Sequence, residues 1–125
     1  MKNKLRLKLK KIFNEYIRIR DARKGCISCN GPVQNAGHFY SVGENPRPAM
    51  VFNELNVHGQ CIHCNYTLAG NKPGYKKGLL RRYGPDVLMT LEVKNAVKTN
   101  PWYDFEYTQM IKLYTKKLKE IKGGT

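Results

Sequence analysis

Residues 26–29 read CISC and residues 61–64 read CIHC, which places two Cys-x-x-Cys pairs in the middle of a chain of 125 residues. Two residues between cysteines allow both sulfurs of a pair to face one ion, and two such pairs complete the tetrahedral sulfur set that structural Zn²⁺ prefers. This spacing predicts a closed zinc site, with a disulfide or a dithiol redox pair as the alternative. The predicted ligands are Cys26, Cys29, Cys61 and Cys64.

The segment between the two cysteine pairs, residues 30–60, is longer than the roughly 15–20 residues of a simple zinc ribbon, so further structure is inserted there. Segments 37–42 and 51–57 are rich in β-branched and aromatic residues and flank the loop GENPRP, a pattern typical of two joined strands. A helix is predicted from about Cys64 to Gly70. The predicted fold is therefore of the α+β class, with a small zinc-stabilised core of two strands and a helix.

Helical patterns flank this core on both sides. From Leu5 to about Lys24, apolar residues recur at intervals of three and four, which predicts a basic amphipathic helix. Further helices are predicted to begin near Pro73, Pro85 and Asp104. We expect a single domain, 1–125, made of a basic helix over 1–25, the zinc-bound core over 26–72 and a basic helical region over 73–125. The amphipathic end helices are candidates both for a dimer surface and for packing within one molecule.

Basic residues dominate the charge of the chain, since 23 Lys and Arg against 9 Asp and Glu give a formal charge of +14. Residues 1–24 hold ten basic and two acidic side chains, residues 25–75 hold two of each, and residues 76–125 hold eleven and five. A surplus of this size favours a polyanion as the partner. The neutral middle, which contains every cysteine and histidine, is where we expect chemistry.

No part of the sequence predicts contact with a membrane. No apolar run approaches the ~20 residues needed to cross a bilayer, and the amino terminus lacks the apolar run of a signal peptide. We therefore expect a cytoplasmic location and no membrane partner. Thiols stay reduced in that compartment, which favours zinc over disulfides at the cysteine pairs.

The strings CISC, AGHF and FNELNVHGQCIHCN stand in an order that resembles an HNH, or ββα-metal, endonuclease built round a four-cysteine zinc. In that family a histidine of the first strand is the general base and an asparagine lies shortly before the third cysteine. A metal-ligating histidine or asparagine directly follows the fourth cysteine. The matching positions here are His38, Asn56 and Asn65.

The strings FNEYIRIRDARKGCISC, AGHFYSVG, FNELNVHGQCIHCNYTLAGN and YKKGLLRRYG carry a closer resemblance, to the phage NinG/Rap family, over about residues 13–91. The Rap member of that family is a structure-specific endonuclease that cuts Holliday junctions and D-loops in phage recombination. The placement of zinc, His and Asn also resembles that of the phage resolvase endonuclease VII. The resemblance implies a metal-dependent endonuclease that acts on branched DNA in the cytoplasm of a bacterial host.

The resemblance also implies roles for individual residues. His38 would take a proton from the attacking water, a task that suits a side chain with a pKa near 6.5. Asn65 would hold a catalytic Mg²⁺ or Mn²⁺, and Asn56 would orient His38 or pin its loop. His58 is a further candidate metal ligand because it would share a strand face with Asn56. Gly37 stands where many relatives have a metal-ligating aspartate, so we expect weak metal affinity in the absence of DNA.

Basic residues near the predicted site are expected to contact phosphates and to position DNA without reading its bases. They are Arg18, Arg20, Lys72, Lys76, Lys77, Arg81 and Arg82. A two-fold homodimer would place two active sites on matching strands of a four-way junction. Two alternatives stay open, a less selective HNH nicking endonuclease and a non-catalytic zinc module that binds nucleic acid.

Overall fold

Helices account for most of the chain, with one small sheet in its middle. The computed structural model describes residues 2–40, 47–97 and 99–123, with side chains from residue 4 onward. The elements are α1 (Lys2–Asp21), β1 (Asn35–His38), α2 (Pro48–Val51), β2 (Val57–Gln60), a π-helical segment (His63–Thr67), α3 (Lys72–Tyr83), α4 (Pro85–Ala96) and α5 (Asp104–Ile121). The predicted mixture of helices and strands is confirmed. Within the described ranges, no helix is long and apolar enough to span a bilayer.

The first and last helices pack against each other. Helix α1 buries Leu9, Phe13 and Ile17, which recur every fourth residue and therefore lie on one face. This face meets α5, where the rings of Phe13 and Tyr114 contact edge to face with centroids 4.9 Å apart. Aromatic pairs in this geometry stabilise a core beyond the area they bury. Of the two arrangements considered for the amphipathic end helices, the structure contains packing within one molecule.

The two strands form an antiparallel pair in which Asn35 faces Gln60 and His38 faces Val57. The end of α1 anchors this sheet through the fully buried carboxylate of Asp21, which accepts a hydrogen bond from the backbone N–H of Gly59 at 2.8 Å. The guanidinium of Arg20 donates to both oxygens of the same carboxylate, each at 2.8 Å. A buried carboxylate is tolerated only when it is paired in this way.

A second core joins α3 and α4 to the first cysteine pair. Its buried members are Ile27, Met50, Tyr75, Leu79 and Leu91. Helix α3 approaches the backbone of Ile27 so closely that a Cβ on Gly78 would lie 1.9 Å from the Ile27 carbonyl oxygen. Only glycine fits at this crossing, which fixes α3 beside the cysteine pair.

The strand predicted over 51–57 is wrong. Residues Pro48–Val51 form α2 instead, because Pro48 fixes φ at a value that suits the first turn of a helix. The side chain of Asn53 then accepts a hydrogen bond from the N–H of Leu55 at 2.9 Å, a turn that delays β2 until Val57.

The other predicted boundaries of the middle region also shift. Strand β1 covers Asn35–His38 where 37–42 was predicted, and residues 41 and 42 of that prediction lie outside the described residues. The helix predicted from Cys64 to Gly70 is a π-helical segment over His63–Thr67.

Candidate metal centre and basic groove

The four cysteines come together as one cluster. Their sulfur atoms all lie within 4.8 Å of one another, and the Sγ atoms of Cys29 and Cys61 are 3.7 Å apart. A tetrahedral site with Zn–S bonds of about 2.3 Å requires sulfurs about 3.8 Å apart. The cysteines are free of disulfides, and Cys26, Cys61 and Cys64 are buried. The cluster therefore fits a closed metal site, and zinc is the metal that such a sulfur set favours.

Neighbouring N–H groups support the sulfurs as metal ligands. The backbone N–H of Cys64 donates to Cys61 Sγ at 3.3 Å, that of Gly31 donates to Cys29 Sγ at 3.4 Å, and Asn71 Nδ2 donates to Cys64 Sγ at 3.4 Å. Without a cation, burial raises the pKa of the Cys64 thiol to about 12. A bound cation must therefore displace protons from the cluster, which makes metal affinity depend on pH.

His38 is the last residue of β1, and one of its two ring nitrogens contacts the backbone. Its Nε2 atom lies 2.9 Å from the carbonyl oxygen of Val51. Because a carbonyl only accepts, Nε2 carries the hydrogen of the neutral ring and Nδ1 keeps its lone pair. Burial lowers the pKa of His38, and the nearby cations Lys72 and Lys10 lower it further. His38 is therefore an unprotonated base at neutral pH.

His38 and Asn65 line the same depression, a groove of about 480 Å³. We call it the basic groove and define it by its lining residues, which come from α1, β1, α2 with Phe52, and the π-helical segment. They are Arg6, Leu7, Lys10, Asn14, Arg18, Asn35, Ala36, His38, Val51, Phe52, Asn65 and Tyr66. Three of these side chains are cationic, and no carboxylate occurs among the described lining residues. The groove therefore favours an anion.

The wall that α1 contributes to the basic groove is a regular row. Arg6, Lys10, Asn14 and Arg18 are each four residues apart, so they lie one above the other on one helix face. The buried apolar residues of α1 lie on a different face, against α5. Sequence reasoning identified only Arg18 of this row, although the spacing was readable in the sequence.

Asn56 supports the surroundings of His38 without lining the basic groove. Its Nδ2 donates to the carbonyl oxygens of Met50 at 3.0 Å and Tyr40 at 3.2 Å, and its Oδ1 accepts from the N–H of Tyr40 at 2.8 Å. These bonds tie residue 40 to residue 50. Lys72 adds a second support, because its ammonium donates to the carbonyl oxygen of His38.

His58 lies outside the basic groove. It is buried, its Nδ1 donates to the hydroxyl of Tyr75 at 3.2 Å, and its ring packs against Tyr75 and Tyr83. Burial, helped by the nearby charge of Arg20, lowers the pKa of His58 to about 3. The structure does not bring His58 together with His38 and Asn65, so its surroundings are those of a core residue.

The seven basic residues predicted to contact phosphates divide into two groups. Arg18 lines the basic groove, while Lys76 and Lys77 are exposed on α3. Arg81 is also exposed, but its guanidinium donates to the side-chain oxygen of Asn30 at 3.2 Å. The others are occupied by structural bonds. Arg20 pairs with Asp21, Lys72 bonds to His38, and Arg82 donates to the carbonyl oxygens of Lys24 and Gly25 at 2.8 and 2.9 Å.

Comparison with known proteins shows that the sequence of this chain is similar to sequences of phage proteins. Residues 2–123 match the model of the family described as Bacteriophage Lambda NinG protein. Protein ninG of Escherichia phage lambda and that of Salmonella phage P22 are each 31% identical over 114 residues, which is 89% of this chain and 54% of each relative. Protein ninG of Escherichia phage 933W is 30% identical over the same length, 55% of its own. The chain thus spans about half the length of these curated relatives. No solved structure matches at a significant level.

Proposed function

This chain belongs to the NinG family of phage proteins, and on that premise we propose that it is a metal-dependent endonuclease that cuts branched recombination intermediates in the cytoplasm of the bacterial host. Its substrates are Holliday junctions and D-loops. His38 is the general base, Asn65 holds the catalytic Mg²⁺ or Mn²⁺, and the four-cysteine cluster binds structural Zn²⁺. The order of β1, β2 and the π-helical segment supports an HNH-like ββα-metal core.

The observation that carries this proposal is the position of His38. Its Nε2 is engaged by the carbonyl of Val51, so the free lone pair is on Nδ1, and the residue lines the basic groove together with Asn65. A neutral base beside a cationic row is what hydrolysis of a phosphodiester requires. The buried, low-pKa setting of His38 keeps this base unprotonated.

The residues of the groove suggest which role each of them has in hydrolysis. A water attacks the scissile phosphorus and gives its proton to His38 Nδ1 as the bond from phosphorus to the 3′ oxygen breaks, and the departing 3′ oxygen takes a proton from solvent water. Arg6, Lys10 and Arg18 hold neighbouring phosphates. The amide oxygen of Asn65 is a hard ligand suited to Mg²⁺, which when bound would neutralise charge on the reacting phosphate. No carboxylate occurs among the described lining residues, so phosphate oxygens and water would supply further ligands and metal affinity would depend on bound DNA.

We also propose that the chain acts as a homodimer, because a two-fold pair of active sites matches the two cut strands of a four-way junction. A surface on α4 supports this arrangement. Met89 and Val93 are four residues apart on that helix and 64% and 63% exposed, an apolar ridge that a second copy would cover. Light scattering on the purified chain, with and without junction DNA, tests the subunit count.

One observation favours a second candidate function, a zinc-containing module that binds nucleic acid without cutting it. The described lining of the basic groove offers a catalytic cation amide oxygens and no carboxylate, and amide oxygens are the weaker ligands. A module of this kind would use the same cationic row and would leave His38 without a chemical role.

Cleavage of matched DNAs separates the two candidates. A four-way junction and a linear duplex of the same sequence are incubated with the zinc-loaded chain and Mg²⁺ or Mn²⁺. We expect cutting of the junction over the duplex, loss of cutting in His38→Ala with junction binding retained, and normal cutting in His63→Ala. His63 is a suitable control because it is an exposed histidine outside the groove.

The other outcomes each point to one alternative. Equal cutting of both DNAs would support the less selective nicking endonuclease. Binding without cutting under either metal would support the non-catalytic module. Full activity in His38→Ala would remove His38 from the role of base.

A further inference from the structure

The basic groove has the charge and length to hold the backbone of one nucleic-acid strand. Its row from Arg6 to Arg18 extends for about 18 Å along α1, at about 1.5 Å per residue. Its cationic members can each pair with a phosphate, and no carboxylate among the described lining residues opposes them. A strand lying along α1 would therefore place several phosphates on one helix face.

Two other lining residues are apolar or aromatic and unusually exposed. Tyr66, on the π-helical segment next to Asn65, is 74% exposed, and Leu7, on α1, is 61% exposed. A phosphate backbone gives these side chains nothing to pack against. The face of an unpaired base offers such a packing surface, because each of the four bases can stack on an aromatic ring. In a continuous duplex those faces are already stacked on their neighbours.

From this combination we propose that the basic groove takes a DNA strand with an unpaired base, which stacks on Tyr66 while the adjoining phosphates lie along α1. The ligand chemistry is an unpaired base flanked by phosphates, whether it comes from a branch point or from a single-stranded stretch. This inference rests on the proposed function and extends it: Tyr66 makes the site select branched DNA over linear duplex. The selection comes from base accessibility and requires no reading of sequence.

The test is a binding measurement on the full zinc-loaded chain without added Mg²⁺ or Mn²⁺. Fluorescence anisotropy gives Kd for a linear duplex, for the same duplex with a short unpaired bubble, and for a four-way junction. The chains compared are the unmutated protein, Tyr66→Ala, Tyr66→Phe and Tyr103→Ala. Tyr103 is the matched control because it is 63% exposed on the surface outside the groove.

We expect Tyr66→Ala to weaken binding of the bubble and the junction about tenfold and to leave duplex binding nearly unchanged. Tyr66→Phe keeps the ring and should bind like the unmutated chain, as should Tyr103→Ala. A 2-aminopurine placed in the bubble reports the same event, since its fluorescence should fall on binding to the unmutated chain and recover in Tyr66→Ala. Equal weakening on all three DNAs, or none, would overturn the proposal.

A cleavage arm with Mg²⁺ or Mn²⁺ separates this proposal from the proposed nuclease activity. If the unmutated chain cuts junctions and Tyr66→Ala keeps the same preference for them, the stacking role fails while the nuclease stands. If no cutting occurs but Tyr66→Ala loses its preference in binding, the stacking role stands and the nuclease fails. Absence of binding to every DNA would overturn both.

Discussion

The Nε2 atom of His38 lies 2.9 Å from the carbonyl oxygen of Val51, and this contact decides which nitrogen of the ring is free for chemistry. Val51 is the last residue of α2, the short helix that replaces the beginning of a predicted strand. The turn that begins at Pro48 therefore supplies the acceptor that fixes the tautomer of His38. Substitutions that disturb α2 should change the chemistry of His38 without touching it.

The first prediction concerns the pH dependence of cleavage. Burial lowers the pKa of His38 below 6.5, and in the proposed mechanism the active form is the unprotonated ring. The value of kcat/KM should therefore not change with pH near pH 7, and it should fall only as the pH drops below 6.5. Lys72→Met removes a cation that depresses this pKa, so the fall should begin at higher pH. A profile unchanged by Lys72→Met, or a fall already well advanced above pH 7, would contradict the assignment.

The second prediction concerns the row on α1. If Arg6 and Lys10 each neutralise one phosphate, then Arg6→Gln and Lys10→Gln should each reduce the slope of log K against log salt by about 0.9. Lys116→Gln is the matched control, because Lys116 is an exposed lysine on α5 outside the basic groove. Titrations at several salt concentrations give the slopes. Equal reductions of the slope in Arg6→Gln, Lys10→Gln and Lys116→Gln would show that binding depends on the net charge of the chain and not on the position of the cation.

The third prediction concerns the four-cysteine cluster. Elemental analysis of the purified chain should find one zinc per molecule, because the sulfur spacing matches a tetrahedral site. Chelation, or Cys64→Ser, should abolish cooperative thermal unfolding, since the metal joins segments that are otherwise far apart in the chain. His63→Ala, in the same Cys-x-x-Cys pair, should retain both metal and cooperativity. A stable, metal-free chain with cooperative unfolding would refute the structural role.

The fourth prediction concerns stability in acid. Burial lowers the pKa of His58 to about 3, whereas in the unfolded chain it is near 6.5. Below pH 6.5 the unfolded state binds the additional proton, so the free energy of unfolding should fall by up to about 1.4 kcal/mol for each further pH unit. In His58→Asn, which keeps a donor for Tyr75 without titrating, this dependence should be shallower. Urea unfolding of both chains at pH 7 and at pH 5 measures the difference.

Much of the architecture could be predicted because it depends on local patterns. The Cys-x-x-Cys spacing predicted the cluster, and the apolar periodicity of 5–24 predicted α1. The strand over 51–57 was mispredicted because Pro48 and the side chain of Asn53 set the local backbone more strongly than the β-propensity of their neighbours. Turn chemistry outweighed composition there.

The role of each basic side chain was harder to predict, because it depends on partners distant in sequence. Arg20 and Arg82 look like free cations in the sequence, yet one pairs with a buried carboxylate and the other caps backbone carbonyls near residue 25. Nothing local distinguishes them from Arg18, which lines the groove. The row on α1 could have been predicted from the sequence, because residues spaced four apart lie on the same face of any helix.

The pairing of α1 with α5 has a consequence for how the protein is made. The apolar face of α1 emerges from the ribosome early, but the segment that covers it, residues 104–121, is synthesised much later. During that interval the face is exposed and the helix has little to hold it in place. The groove wall carried by α1 is thus translated before α5 and is fixed in place only after α5 has been made. If the basic groove binds DNA as proposed, binding requires α5 to be in place, so a nascent chain that ends before residue 104 should not yet bind nucleic acid.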